Sequence, residues 1–141
     1  MDRDRTIGAL TGLGGVPLLA VGLMAPPAAA HHSFAAVFDE NRPVTVTGVV
    51  TEVRLENPHS WFYVDVTDES GKVTRWGFEG NTPTSLIRAG YRRDAVKVGD
   101  RVTIRGSRAR DLSANMGAAR EIELSDGRVF IVGPRGAADA Y

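Results

Sequence analysis

Three histidines are the residues whose type and position point most directly to chemistry. They are His31, His32 and His59, and no histidine follows His59 in this cysteine-free chain of 141 residues. Neutral imidazole is the commonest metal ligand in proteins. Because there is no thiolate, nitrogen atoms are the ligands left for a soft metal ion. The histidines therefore predict copper-type binding at these three positions.

A mature chain that begins at His31 would carry an α-amine and an imidazole on one residue. These two nitrogens can chelate one metal ion, and a nitrogen from His59 would complete a T-shaped histidine brace, which suits copper. His32 is a competing third ligand, because adjacent histidines also chelate. Cleavage after Ala29 would instead leave Ala-His-His, whose amine, amides and imidazole can hold Cu(II) or Ni(II) in a square plane.

The same histidines also have a simpler interpretation. Histidines beside a cleavage site can be exposed bystanders, and His59 can cap the start of a strand through hydrogen bonds. Copper or nickel would then bind adventitiously in vitro, without a role. A copper-dependent redox enzyme is a third alternative, but it needs an open coordination position and a substrate surface that the sequence does not show.

The first thirty residues predict an export signal that sets where the mature chain begins. A polar start precedes an apolar stretch from Ile7 to Met24, and small residues follow as far as Ala30. Cleavage after Ala30 places alanine at both the −3 and −1 positions of a signal peptide. Glycines within the stretch and Pro26-Pro27 disfavour a membrane anchor. We therefore expect a periplasmic or secreted protein with no stable membrane span after cleavage.

Composition excludes several classes of function. The 17 basic and 17 acidic side chains leave no basic excess for phosphate contacts with nucleic acid. The lack of cysteine excludes a disulfide scaffold and a cysteine nucleophile. Neither a phosphate-binding glycine loop in the mature chain nor a nucleophile with a suitably spaced base supports catalysis. We expect a monomer that is not an enzyme, binds no nucleic acid and has an unknown protein or small ligand as its partner.

The mature chain predicts an all-β domain with one short helix. Its β-branched and alternating runs, separated by turn residues, lie at 44–55, 60–67, 73–79, 101–107, 119–124 and 128–132. A helix that starts at Pro83, after the cap Thr82, falls between the third and fourth runs and stops at Gly90. This order suits an OB-like antiparallel barrel of five to six strands. An open meander with the helix on one face is the alternative.

Two details of this domain are specific enough to check. The apolar positions of the first strand change phase, from 44 and 46 to 49, 53 and 55, which predicts a β-bulge beside Gly48. In the helix, Leu86 and Ile87, with Ala89 as a third candidate, are expected to face the barrel.

These assignments divide the chain into four parts. They are a signal peptide at 1–30, an N-terminal arm at 31–43, the OB-like domain at 44–132 and a flexible tail at 133–141. The first strand alone would place its start about 40 Å from the turn that holds His59. Residues 33–43 of the arm span about 36 Å when fully extended, so the arm must run back along the domain for His31 to reach His59. Phe34, Val37 and Phe38 could bind it there.

A second set of candidate site residues combines aromatic rings with an acid. Trp61, Tyr63 and Trp76 could form a ligand face by stacking on a sugar or a base, and Glu79 could add a polar contact. The same rings can equally belong to the core, and Glu79 can anchor backbone amides in the next turn. This set supports the alternative function, a binding or scaffold module for a protein or glycan partner that uses no metal.

Several short motifs together resemble a family of small secreted bacterial proteins of unknown function. They are His31-His32-Ser33-Phe34, Pro43 to Gly48, Asn57-Pro58-His59, Trp76 to Gly80, Val98-Gly99-Asp100 and Asp126-Gly127-Arg128. The resemblance covers nearly all of residues 31–132 and implies export and a compact β-rich domain. It implies no activity. It makes the histidines at the mature start and after Asn-Pro part of the family pattern, which keeps copper binding as the first hypothesis.

Overall fold

The structure, a computed structural model, describes residues 34–133, which form six strands and two short helices. In chain order the elements are α1 (Phe34–Val37), β1 (Phe38–Arg54), β2 (Trp61–Thr67), β3 (Val73–Glu79), α2 (Pro83–Arg88), β4 (Arg101–Ala109), β5 (Met116–Leu124) and β6 (Val129–Ile131). Neither of these helices is long and apolar enough to cross a membrane. The predicted signal peptide, His31, His32 and the tail beyond Gly133 lie outside the described residues.

The strands close into a ring. Their order is β3-β2-β1-β4-β5-β6, and a further pairing joins β3 to β5, so that β1 to β5 form the ring and β6 extends from β5. Strand directions cannot alternate at every junction of a five-membered ring, because five is odd. The junction between β3 and β5 is accordingly parallel, while the others are antiparallel. The predicted all-β, OB-like class is confirmed, and the closing pair excludes the open meander.

The first strand is longer than the sequence pattern indicated. It begins at Phe38 rather than Val44, so residues 38–43, predicted as part of the arm, belong to β1. Phe38 and Asp39 pair with the end of β4, and the pairing resumes at Pro43 after a register shift. Residues 40–42 lie in this irregular stretch and are all exposed. The run Asp-Glu-Asn-Arg at 39–42 therefore shows no alternation of apolar and polar residues, which is why the sequence did not indicate a strand there.

The predicted bulge beside Gly48 lies instead at Thr51, where the ladder to β2 skips one residue. Val50 is 1% exposed and Val49 is 40% exposed, so the even-numbered residues of β1 still point inward at position 50. The apolar pattern had predicted that this alternation would change beside Gly48. Gly48 has a different role. A Cβ atom there would lie 2.4 Å from the carbonyl oxygen of Asp65, so the close approach of β1 and β2 excludes a side chain.

The interior of the ring is filled by large apolar side chains. The largest fully buried ones in the main core are Phe62, Phe78, Leu86, Ile104 and Ile122, all 0–1% exposed. Leu86 is the single buried residue of α2. Ile87 is 50% exposed and Ala89 is also exposed, so the prediction that they face inward is wrong. Ile87 is rotated by about 100° from Leu86 around the helix axis, and Ala89 is the C-cap that follows the last residue of the helix.

Tyr91 places a titratable group in this core. It is 4% exposed, and its ring meets Phe62 and Phe130 edge-on, with centroids 6.1 Å and 5.7 Å apart. Burial raises the pKa of the Tyr91 phenol to about 12, because the charged phenolate would lose its hydration. The folded state therefore holds the phenolic proton more tightly than the unfolded chain does.

Replacing Gly106 with alanine should strongly destabilise the domain. A Cβ atom there would lie 1.8 Å from the carbonyl oxygen of Ala118, a backbone atom that no side-chain rotation can move. We expect Gly106→Ala to lower the free energy of unfolding by about 3 kcal/mol. The control Gly71→Ala has open space around it but a φ of +84°, so it should cost about 1 kcal/mol. Urea denaturation measures both, and equal losses would contradict the steric explanation.

Stability should fall as the pH rises from 10 towards 12. The pKa of the Tyr91 phenol is raised in the folded state. Its contribution to the free energy of unfolding is therefore complete below the unfolded pKa of about 10, and it is lost as the pH rises through the folded pKa. The loss is of the order of 2 kcal/mol. Urea denaturation at pH 9 to 12 measures it, and Tyr91→Phe is the control that should flatten this part of the profile. An unchanged slope in that variant would show that other groups cause it.

Candidate functional site

His59 lies next to a buried acid. It follows the cis peptide bond between Asn57 and Pro58 in the turn from β1 to β2. Its Nδ1 atom is 3.3 Å from Oε1 of Glu79, the last residue of β3. The two turns are joined by backbone hydrogen bonds, in which Gly80 donates to Ser60 at 2.8 Å and Ser60 donates to Asn81 at 3.1 Å. The main chain therefore holds the imidazole and the carboxylate together.

The burial of this pair determines what it can do chemically. The Glu79 residue is 8% exposed, while the His59 side chain is 29% exposed. A carboxylate buried to this extent needs polar partners, and the imidazole supplies one. A carboxylate beside Nδ1 orients a histidine ring so that Nε2 is the nitrogen that would bind a metal ion. The pair thus has the form of one histidine ligand with its supporting acid.

This pair does not make a complete metal site by itself. Within residues 34–133 no three histidine or acidic side chains are grouped closely enough to hold a metal ion. Of the predicted ligands, the structure places His59 beside Glu79, whereas His31 and His32 lie outside the described residues. A site with three protein ligands would therefore need groups from the chain before Phe34 or from another molecule.

The beginning of the described chain packs on a small apolar cluster of its own. Phe38 is 1% exposed and forms an apolar group with Ala109 and Ala118, separate from the main core. The partly buried residues that pack against it are Phe34, Val37 and Met116. We call these six residues the N-terminal cluster. Three of them, Phe34, Val37 and Phe38, are those from which the sequence predicted contact between the arm and the domain.

Ring closure brings the N-terminal cluster next to the histidine turn. Ala118 of the cluster is the pairing partner of Glu79 across the junction of β3 and β5. One strand spacing, about 4.8 Å, separates such partners. The arm therefore has no need to run back along the full length of β1, as the sequence had suggested. The first residues of β1 pack on Ala118, and Ala118 in turn pairs with the acid that contacts His59.

The aromatic residues of the second predicted set lie on two different faces. Trp61 and Tyr63 stack on the outer face of β2, with ring centroids 6.0 Å apart. Trp76 stacks with Phe78 on the inner face of β3 and packs against the core. The guanidinium of Arg108 lies 4.4 Å above the Trp76 ring. The structure therefore does not bring Trp76 together with Trp61 and Tyr63, whereas Glu79 pairs directly with Trp61.

Charged residues that the sequence patterns did not indicate surround Tyr63. The guanidinium carbons of Arg54 and Arg75 lie 5.3 Å and 4.8 Å from the Tyr63 ring centroid, and both side chains pair with Glu52. The hydrogen bond from Arg54, more than that from Arg75, holds the pKa of the Glu52 carboxyl below its usual value. Alternation along β3 places Arg75 on the face opposite Trp76, and this was the signal available in the sequence.

Comparison with known proteins gives the chain a family but no activity. No curated protein matches the sequence. Among solved structures, the chain is similar to the N-terminal domain of PriB protein from Thermoanaerobacter tencongensis, described as dimeric. The identity is 23% and the TM-score 0.41, over 60% of this chain and 97% of that chain.

A family model matches residues 19–118, which is more than half of the chain. The matched range includes both His59 and Glu79, and it ends at Ala118, the pairing partner of Glu79. The chain therefore belongs to this family, which is described as a family of unknown function (DUF6152).

Proposed function

We propose that the exported form of this chain binds a copper-type metal ion and acts as a carrier or sensor rather than as an enzyme. The ligands are His59 and His31, with His32 as the competing third ligand, and Glu79 supports His59. The observation that carries the proposal is the buried Glu79 carboxylate 3.3 Å from Nδ1 of a half-buried histidine. That arrangement supports one nitrogen ligand.

Covalent geometry allows the N-terminal histidines to reach this position. His32 and Ser33 lie between His31 and Phe34, so the chain from His31 to Phe34 spans about 10 Å when fully extended. Phe34 packs on the cluster that contains Ala118, and Ala118 pairs with Glu79. The proposal includes export and cleavage after Ala30, because only then does His31 carry a free α-amine. The amine and imidazole of His31 would then join the imidazole of His59 on one ion.

The donor set favours copper over other ions. It consists of imidazole and amine nitrogens and contains no thiolate, since the chain has no cysteine. Nitrogen ligands of this kind bind Cu(II) more tightly than Ni(II) or Zn(II), following the general order of stability of divalent ions. A carrier or sensor needs only reversible binding, so this proposal requires no substrate surface and no redox step.

The test uses protein purified after export without a tag, with its first residue verified by mass spectrometry. We expect the form that starts at His31 to bind Cu(II) with submicromolar affinity. Either His59→Ala or one extra residue before His31 should weaken binding by at least about tenfold, because each removes one nitrogen ligand. The matched control is Ser60→Ala. It changes the next residue, whose buried hydroxyl has no hydrogen-bond partner within residues 34–133.

Two results would overturn this proposal. If the extended form and the form that starts at His31 bind Cu(II) equally well, the amine is not a ligand and the brace does not exist. If His59→Ala binds as tightly as the Ser60→Ala control, the pair formed by His59 and Glu79 has no metal role.

A second candidate function, a binding module for a glycan, rests on the outer aromatic pair. Gly77 lies opposite Tyr63, and a Cβ atom there would be 3.1 Å from Cε1 of the Tyr63 ring, so the glycine leaves space for the rings above β3. A sugar could stack on Trp61 while the outer arginines bind its hydroxyl groups. This function would need no metal and no N-terminal processing.

The glycan function and the copper function predict that different substitutions weaken binding. Trp61→Ala should weaken the binding of a soluble oligosaccharide by about tenfold, because it removes the stacking surface. Isothermal titration measures this, and Trp76→Phe is the control, since Trp76 lies on the inner face. His59→Ala should have no effect on it. If Trp61→Ala binds oligosaccharides like the unsubstituted protein, the outer face is not a glycan site.

A further inference from the structure

Two arginines share one carboxylate beside an aromatic ring on the outer face. Arg54 of β1 and Arg75 of β3 come from the two strands that flank β2, and both form ion pairs with Glu52. Their guanidinium carbons lie 5.3 Å and 4.8 Å from the centroid of the Tyr63 ring, within the range of a cation–π contact. We call Glu52, Arg54 and Arg75 the arginine clamp.

Strand pairing places this clamp next to the exposed tryptophan of the same face. Glu52 lies opposite Tyr63, and Arg54 lies opposite Trp61. The Trp61 and Tyr63 rings are nearly parallel, with an angle of 16° between their planes and 6.0 Å between their centroids. A sugar ring that stacks on Trp61 would therefore have its polar substituents within reach of the clamp.

The clamp has hydrogen-bond donors and positive charge to spare. Two guanidinium groups face one carboxylate, which leaves a surplus of one positive charge. Arg54 donates to Glu52 through Nε and Arg75 donates through Nη2. A guanidinium group carries five N–H donors, so most of them are left for a ligand. The two arginine side chains are 49% and 52% exposed, so a ligand from solvent can reach them.

The charges around the clamp favour a ligand with a single negative group. Asp65 lies on the same face of β2 as Tyr63, and Glu79 lies opposite Trp61. A nucleic-acid strand needs basic side chains along its path, and these two acids interrupt such a path on either side of the aromatic pair. A sugar that carries one carboxylate needs only one cationic position. The charge pattern therefore favours an acidic saccharide over an oligonucleotide.

We infer that the outer face binds a saccharide that carries one carboxylate, of the uronic acid class, with Trp61 as the stacking surface and the arginine clamp as the carboxylate site. The inference rests on the second candidate function, the glycan-binding face, and names the class of glycan. Guanidinium groups match the planar geometry of a carboxylate. Glu52 already occupies this position in part, so it is an internal competitor of the ligand carboxylate.

The affinity test compares each acidic sugar with its own uncharged methyl ester. The probes are two disaccharides with one uronic acid each, glucuronic acid linked to glucose and galacturonic acid linked to rhamnose. Isothermal titration of the purified protein should show that at least one acid binds about tenfold more tightly than its ester, because only the acid forms charge-assisted hydrogen bonds. If neither acid binds more tightly than its ester, the inference is overturned.

Substitution of one arginine should remove this preference for the acid. Arg75→Gln should lower the affinity for the acid by about tenfold and leave the affinity for the ester unchanged, because it removes a charged donor. The control is Arg93→Gln, which makes the same charge change at an exposed arginine in the loop after α2. Exposed ion pairs contribute little to stability, so both variants should fold.

Substitution of the internal competitor should have the opposite effect. Glu52→Gln keeps the size of the side chain and removes its charge, so it should strengthen binding of the acid by about threefold and leave the ester unaffected. Glu40→Gln, at an exposed position of β1, is the control. A merely structural role for Glu52 would weaken binding of the acid and the ester alike, and that result would contradict the competition.

The outcomes separate this inference from the glycan function on which it rests. If Trp61→Ala weakens binding of both acid and ester while Arg75→Gln leaves the preference for the acid intact, the glycan face stands and the carboxylate site is overturned. If neither acid nor ester binds, the glycan function fails together with the inference. Hexathymidylate tests the nucleic-acid alternative. If it binds more tightly than the acids and loses affinity in Arg75→Gln, the clamp binds phosphate and the inference is overturned.

Discussion

The parallel pairing of β3 with β5 is the contact on which the arrangement of this protein depends. It involves only Gly77 to Glu79 on one strand and Met116 to Ala118 on the other, yet it converts a meander into a ring. Because a ring of five strands must contain one parallel junction, two segments far apart in sequence lie side by side there. The buried acid beside His59 and the apolar cluster on which Phe34, Val37 and Phe38 pack meet at this junction.

The close approach of the strands in the ring also explains why certain strand positions are occupied by glycine. Strands that approach this closely leave no room for a Cβ atom at certain positions, and glycine occupies them. Gly117 illustrates the point at the junction itself, where a Cβ atom would lie 2.9 Å from the Phe78 ring and from the Ser107 carbonyl. The inner face is thus packed with rings and branched chains. The outer face carries the aromatic pair Trp61 and Tyr63, the paired arginines and the N-terminal cluster.

Sequence patterns predicted the elements where alternation was clear and failed where it was not. β3 and α2 were found at their predicted positions, because β3 alternates and α2 has a cap and a proline at its start. The first six residues of β1 were missed because a charged, irregular stretch interrupts the alternation. The bulge was misplaced because a glycine can mark a close strand contact as well as a bulge, and the residues alone do not distinguish the two.

Residue types alone identified the histidines, the acid Glu79 and the absence of thiolates, because imidazole and carboxylate chemistry is a property of single side chains. They also established the all-β class, because alternation is a local property of the chain. Tertiary structure alone decided that Glu79 faces His59, that Trp76 turns away from Trp61 and Tyr63, and that Ala118 of the N-terminal cluster pairs with Glu79. These relations depend on pairings between residues many positions apart. The free energy of such pairings comes from closing the whole ring, which no short stretch of sequence encodes.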